Sequence, residues 1–337
     1  MIHEEFPAVA LHNVSELVPA DWTDEGYCLH RVPESVGANV NVDARERMRH
    51  PSGCELRFVP ETGSIEVTLS AANETTFRVF WGEFQEIEVY GLGPRPTTIE
   101  LSVPPRIGRL RSDIARSGAF DPRVCRIRYE AWEPVAVHDV RGACRPPEAD
   151  ELPGRRYLAY GTSITEGAAA SACHLTYVAR TARALGVDAL NLGASGAAFC
   201  EPAIGDHIAE REDWNIATLS LSVNMANRGF TLMQFQDRAR RLVDRVAGAH
   251  PDCPVACITL FPYHADAVRE DDLNRASEFR DVLRDIVATT PQDSVHFVAG
   301  PDLMDVKGLT TDVLHPGDAG MASIGDGLAD ALRPLLD

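Results

Sequence analysis

The chain has 337 residues, roughly the length of two domains and enough for each to bury its own core. Fifty acidic residues against 32 basic ones give a formal charge of −18. That field repels nucleic-acid phosphates and anionic membrane surfaces. A hydrophobic content of 45% with 24% charged residues excludes intrinsic disorder.

The acidic excess is −8 over residues 1–150 and −10 over the remainder, so charge marks no site. The longest apolar runs, such as PVACITLF, fall far short of the roughly 20 residues of a membrane helix. The opening MIHEEFPAVALHNVSELVPADW lacks the cationic start of a secretory signal, so a soluble, cytoplasmic protein is expected. Eight scattered cysteines with no CxxC pair and no zinc-like spacing predict reduced thiols and no metal.

In chain order, residues 64–69, 76–80, 86–90, 98–103 and 124–129 alternate polar and apolar. Each predicts a strand with one buried and one wet face. Breaks at Pro60-Glu61-Thr62-Gly63 and Gly91-Leu92-Gly93-Pro94 complete the pattern of an antiparallel β-sandwich, jelly-roll-like, over residues 1–143. Residues 144–154 hold three prolines and four charges and suit a linker. From 155 to 337 strands at 156–160, 189–192, 216–221, 254–260 and 295–298 alternate with helices at 174–185, 204–211, 231–247, 272–288 and 318–335. This grammar predicts a five-stranded parallel sheet covered on both faces, a three-layer flavodoxin-like α/β fold. Sites in such sheets lie at the carboxyl ends of the strands.

Four segments fall at those ends. The first is Tyr160-Gly161-Thr162-Ser163-Ile164-Thr165, whose serine could present both hydroxyl and N–H to a cleft. Asn191-Leu192-Gly193-Ala194-Ser195-Gly196 and Leu221-Ser222-Val223-Asn224-Met225 could aim the Gly196 N–H and the Asn224 amide at one oxyanion. In Thr311-Asp312-Val313-Leu314-His315-Pro316, the carboxylate could take the Nδ1 proton and leave Nε2 as a base. Taken alone, each also reads as turn residues or a helix cap.

Together, in this order, the four segments resemble the SGNH or GDSL hydrolase family over residues 156–335. The resemblance implies Ser163 as nucleophile, His315 as general base and acid, and Asp312 as its orienting carboxylate. It also implies an oxyanion hole formed by the Ser163 N–H, Gly196 and Asn224. Thr162 stands where the family usually has aspartate, and Ser222-Val223-Asn224-Met225 replaces the usual Gly-x-Asn-Asp. Ser195 reads as turn structure. Cys173, His174 and His207 border the site loops but lack metal-ligand spacing. Thr162, Met225, Tyr263 and His264 are the expected pocket lining, the last two at the head of a charged loop over 265–272.

The implied chemistry is acyl transfer through an acyl-serine, without metal or organic cofactor. A β-sandwich ahead of an SGNH domain is similar to two arrangements. One is a group of esterases that deacetylate carbohydrates. The other is a branch that includes an acyltransferase placing a salicylyl group on a tetracycline-type polyketide, with an asparagine-methionine third block like Asn224-Met225. This implies a small-molecule acyl donor, acyl-CoA or a carrier-bound thioester, and a hydroxyl acceptor, with no nucleic acid or membrane. Hydrolysis of acyl esters is the alternative reading, and an inactive ligand-binding protein a third. A CoA donor would need a local arginine patch that the sequence does not locate.

Overall fold

The computed structural model describes residues 5–268 and 273–336. They divide into two compact units. The first holds the chain up to Glu34, then Met48–Gly154 and Gly186–Leu190. The second holds Ser35–Arg47, Arg155–Leu185 and Asn191 onward.

The first unit is antiparallel. Its strands are β1 (Ala10–His12), β2 (Glu16–Pro19), β3 (Tyr27–His30), β4 (Glu55–Ala71), β5 (Thr75–Trp81), β6 (Phe84–Leu92), β7 (Thr97–Leu101), β8 (Cys125–Tyr129) and β9 (Val135–Arg145). They run in the order β2-β3-β9-β4-β8-β5-β6, with β1 and β7 also on β4. The long β4 serves two leaves: Glu55–Phe58 pairs with β1 and β8, and Ile65–Ala71 with β7 and β9. Between them lies a core of Leu56, Phe58, Ile65, Val67, Leu69, Phe77, Val79, Trp81, Ile127 and Val137.

Four local expectations are corrected. Pro60-Glu61-Thr62-Gly63 is no turn but an irregular stretch within β4, with Pro60 opposite Cys144 and Thr62 opposite Ala143 across register shifts. Cys144 and Arg145 accordingly end β9 rather than open a linker. In β6 the apolar residues Ile87 and Val89 face solvent. Glu86 instead accepts the Trp81 indole N–H at 2.6 Å and the Tyr90 hydroxyl at 2.8 Å. The strand is at the sheet edge, so its phase follows those two bonds. In β8, Arg126 is only 7% exposed because Glu55 pairs with it and Phe120 stacks on it.

The second unit carries a parallel sheet in the order β11-β10-β12-β13-β14. Its strands are β10 (Arg156–Gly161), β11 (Asp188–Gly193), β12 (Ile216–Ser220), β13 (Val255–Ile258) and β14 (Val295–Val298). Registers such as Tyr157 with Ile216 and Ala217 with Val255 keep the strand ends level. Helices Tyr177–Leu185, Pro202–Glu210, Leu232–Ala249, Leu273–Thr289 and Asp318–Leu336 alternate with the strands. The first starts later than the expected 174, because Thr176 accepts the Ala179 N–H and Cys173–Leu175 forms a separate tight turn. The expected start at Asp272, and residues 269–272 of the charged loop, lie outside the described residues. No helix among the described residues is long and apolar enough to cross a membrane. All eight cysteines are free thiols, and burial pushes those of Cys54 and Cys257 up to about 12.

Candidate active site

Each site segment follows a strand of the parallel sheet. Past the end of β10, Thr162 is extended and Ser163 opens the short helix Ser163–Glu166. As the first helical residue, Ser163 has an N–H with no intrahelical acceptor. Its Oγ lies 2.9 Å from His315 Nε2, and His315 Nδ1 lies 2.6 Å from Asp312 Oδ2. With the carboxylate accepting at Nδ1, the neutral ring keeps its proton there, and Nε2 accepts the serine hydroxyl. Residues 152 positions apart in sequence thus form one hydrogen-bonded chain.

The Asp-x-x-His spacing has a local cause. Asp312 Oδ1 accepts the backbone N–H of Leu314 and His315 and the Thr310 hydroxyl, so the carboxylate fills the centre of its own loop. Thr310 N–H to His315 O closes that loop at 2.8 Å. Burial by itself would raise the Asp312 carboxyl. The bonds from the His315 ring, the two N–H groups and Thr310 outweigh it and hold the group well below the usual carboxylate range. Val313, between the two residues, has φ +53, a strained conformation for a β-branched side chain.

The second segment is set by contacts invisible in its own sequence. Gly193 ends β11 so close to the first segment that a Cβ there would overlap Glu166 N. Asn191 Nδ2 donates to Thr165 O, and its Oδ1 accepts the Gly193 N–H. Glu166, 1% exposed, accepts the Ser195 N–H at 2.7 Å. Gly196 turns the chain at φ +69, where a side chain is disfavoured. Ser195, the second serine of the region, has a buried hydroxyl without a hydrogen-bond partner among the described residues.

The third segment is stitched to the second. Ser222 accepts the Met225 N–H as a helix cap and donates to Ala198 O at 2.6 Å. Asn224 Oδ1 accepts the Ala198 N–H at 3.2 Å, which fixes the amide so that Nδ2 remains the donor. Sequence reading missed Glu166. Its signal was a carboxylate three residues past the serine, in a run that is otherwise apolar or small.

Thr162 and Tyr263 line a small enclosed cavity with Ile164, Ser220, Leu221, Val223, Leu260 and Phe261. Met225 is fully buried and His264 lies 3.4 Å from Asn227 Nδ2; neither is among that lining. His207 is pushed down to about 4, by burial first and then by Arg211. Among the described residues no group of three or more His, Cys, Asp or Glu is disposed to hold a metal.

The model of the GDSL-like lipase/acylhydrolase family matches residues 155–335. No curated protein matches the sequence at a significant level. Among solved structures, the chain is similar to the salicylyl-acyltransferase SsfX3 from a tetracycline biosynthetic pathway, with a TM-score of 0.80 and 15% identity over 98% of this chain and 95% of that one. A GDSL-like lipase from Bacteroides ovatus superposes with a TM-score of 0.69 and 17% identity, covering 97% and 98%. A family two carbohydrate esterase from Cellvibrio japonicus follows with 0.64 and 14%, covering 98% and 96%. At such identities these likenesses carry the fold alone. The family match spans more than half of the chain and all four strand-end segments, and the chain belongs to the GDSL-like lipase/acylhydrolase family.

Proposed function

We propose that this chain transfers acyl groups through a Ser163 acyl-enzyme, from a thioester or ester donor to a hydroxyl of a small molecule. The observation that carries the reading is the continuous hydrogen-bonded series Ser163–His315–Asp312. In the first half-reaction His315 Nε2 takes the Ser163 proton as Oγ attacks the donor carbonyl. The carbonyl oxygen becomes an oxyanion, and the N–H groups of Ser163 and Gly196 with Asn224 Nδ2 are the donors assigned to it. Asp312, ionised throughout, stabilises the imidazolium that forms. The ring then protonates the departing thiolate or alkoxide. In the second half an acceptor hydroxyl loses its proton to Nε2, attacks the acyl-serine, and restores the free enzyme.

The likeness in fold to a salicylyl-acyltransferase, which covers both units, supports an alcohol as acceptor. A second reading is favoured by one feature of the structure. The cavity lined by Thr162, Val223 and Tyr263 is about 10 Å³, room for one water-sized group. A short acyl chain such as acetyl suits it better than an aromatic one, as do the carbohydrate esterases of similar fold. Acyl-CoA, supplied with and without a polyhydroxylated aromatic acceptor, separates the two. Acylated acceptor is the expected product; free acid alone, unchanged by acceptor, overturns transfer. Labelling with a fluorophosphonate tests the serine itself. An unlabelled Ser163 would leave a ligand-binding protein.

A further inference from the structure

The peptide whose N–H is assigned to the oxyanion is the central one of a tight turn. Ala197 N–H donates to Ala194 O at 3.2 Å and closes that turn, and Gly196 at its third position has φ +69. Ser195, at the second position, does not have a positive φ, so the turn is of type II. The closing bond uses neither the Ser195 carbonyl nor the Gly196 N–H, which share one trans peptide and point opposite ways. In a type I turn that central peptide is flipped over, and glycine at the third position tolerates either form. A flip would carry the Gly196 N–H away from the reacting carbonyl, so groups outside the turn must select its direction.

Two side chains grip the residue before the glycine, one at each end. Glu166, on the short helix that Ser163 opens, is 1% exposed and accepts the Ser195 N–H at 2.7 Å. The same segment supplies Thr165 O to the Asn191 amide and Gly161 O to the Ala194 N–H, so the start of the turn is registered against the nucleophile's own stretch of chain. Arg47 holds the other end. It closes the helix Val42–Arg47, distant in sequence yet part of the second unit, and its Nε donates to Ser195 O at 3.4 Å. Asn41 anchors that helix: its Oδ1 accepts the Ala44 N–H, and its Nδ2 donates to Ala197 O at 2.9 Å and to Glu201 Oε1. Flipping the central peptide would break the bond from Arg47 as well as turn the N–H. A donor on the carbonyl also polarises the peptide and strengthens its N–H.

We propose that Glu166 and Arg47 are positioning residues of the oxyanion hole: Glu166 docks the turn on the nucleophile's helix, and Arg47 locks its central peptide so that the Gly196 N–H faces the developing oxyanion. Both act through Gly196 rather than on the substrate. The inference rests on the acyl-transfer reading above and adds to it how one oxyanion donor is held.

The test compares p-nitrophenyl acetate with p-nitrophenyl thionoacetate, whose thiocarbonyl sulfur is a weak hydrogen-bond acceptor. Damage to the nucleophile or its base slows both esters alike, whereas a misplaced N–H slows the oxygen ester more. Removing an oxyanion donor outright costs about 10²- to 10³-fold, which bounds the effect of misplacing one. Within that bound, Glu166→Met is expected to lower kcat/KM for the oxygen ester about tenfold and Arg47→Met about threefold, each with a similar fall in the oxygen-to-sulfur rate ratio. Glu166→Gln keeps an acceptor for the Ser195 N–H and Arg47→Lys a donor for Ser195 O, so both should recover part of the ratio. Should Glu166→Met not fold, Arg47→Met, at a half-buried helix end, decides alone. A wild-type ratio in the folded methionine variants overturns the proposal, whether or not their absolute rates fall. A wild-type protein that resists fluorophosphonate and turns over neither ester removes the acyl-transfer reading and this role with it. That result is distinct from an active enzyme with an unaltered ratio, which removes the role alone.

Discussion

Two clusters of ionisable groups, one in each unit, use the same side-chain types to opposite ends. In the first unit Glu55 meets Arg57, Arg126 and Arg128 at 2.8, 2.7 and 3.0 Å, and Arg57 also grips Asp188 through both carboxylate oxygens. His12 completes the cluster, 3.4 Å from Asp188 and 2.6 Å from Ala189 O, while Phe120 lies under Arg126 and Arg57. Glu55, Arg57 and Asp188 are each at most 4% exposed. In the second unit Asp312 and His315 have side chains 49% and 23% exposed, and the series ends on a serine hydroxyl. Both clusters hold strongly lowered carboxylates, so a perturbed carboxylate alone does not say which one is functional. Engagement distinguishes them: each charged side chain of the first cluster is paired with an opposite one, three guanidiniums sharing two carboxylates, whereas the second ends in a serine hydroxyl.

The largest effect that tests this contrast is chemical. Ser163→Ala is expected to lower p-nitrophenyl acetate turnover by about 10³-fold or more with the melting temperature nearly unchanged. Turnover near wild type would remove Ser163 from the mechanism. Asp312→Asn should follow, with a loss of about 10²- to 10⁴-fold in kcat, because an amide favours the wrong imidazole tautomer.

The matching change in the first unit acts on stability. Arg57→Met leaves Asp188 buried with His12 and the Ala189 N–H, and removing one partner of a buried pair costs about 3 to 5 kcal/mol. Urea unfolding measures it, and a cost below about 1 kcal/mol would show that the cluster relaxes or takes in water.

Acid should separate the clusters further. Burial, then Arg57, pushes His12 down to about 4, so the folded state binds its proton less readily than the unfolded chain. Stability from this group is complete above the ordinary histidine value near 6.5 and is lost as pH falls towards 4, by up to roughly 3 kcal/mol. Burial would raise Glu55 and Asp188, but the guanidiniums hold both low; their contribution is present above about pH 4 and fades below it. His12→Gln is expected to flatten the urea midpoint between pH 6.5 and 4 and leave the lower fall in place. An unchanged slope in the upper window would assign the acid sensitivity elsewhere.

The Ser163–His315–Asp312 cluster is more legible in sequence than the Glu55–Arg57–Asp188 cluster, and the reason is locality. Asp312 and His315 sit on one loop whose hydrogen bonds span at most five residues, and Ser163 follows a strand that the apolar run of β10 announces. The Glu55–Arg126 pair spans 71 residues and the Arg57–Asp188 pair 131. Alternation therefore read Arg126 as a wet-face residue. The same blindness applies to β6, whose phase is set by Trp81, and to Arg47, which reaches Ser195 across 148 residues. Periodicity reports which side of an element is apolar, and it is silent about which charges from elsewhere will be buried against the other side.

The smallest expected effect probes strain between Asp312 and His315. Val313 holds φ +53, a conformation that costs a β-branched residue of order 1 to 3 kcal/mol and glycine almost nothing. Val313→Gly removes that cost but widens the unfolded ensemble, so the net gain is about 1 kcal/mol at most. The loop is still closed by Thr310 N–H to His315 O and filled by the Asp312 carboxylate, so the fold of the loop survives the change. What changes is the freedom of the peptide between Asp312 and His315. The expected result is a melting temperature equal to or slightly above wild type, together with a kcat lower by a few-fold and an unaltered KM. Here the stabilising and catalytic effects have opposite signs, which distinguishes strain retained for orientation from strain without use. A variant that gains stability and keeps full kcat would show that the four bonds to Asp312 orient the histidine unaided.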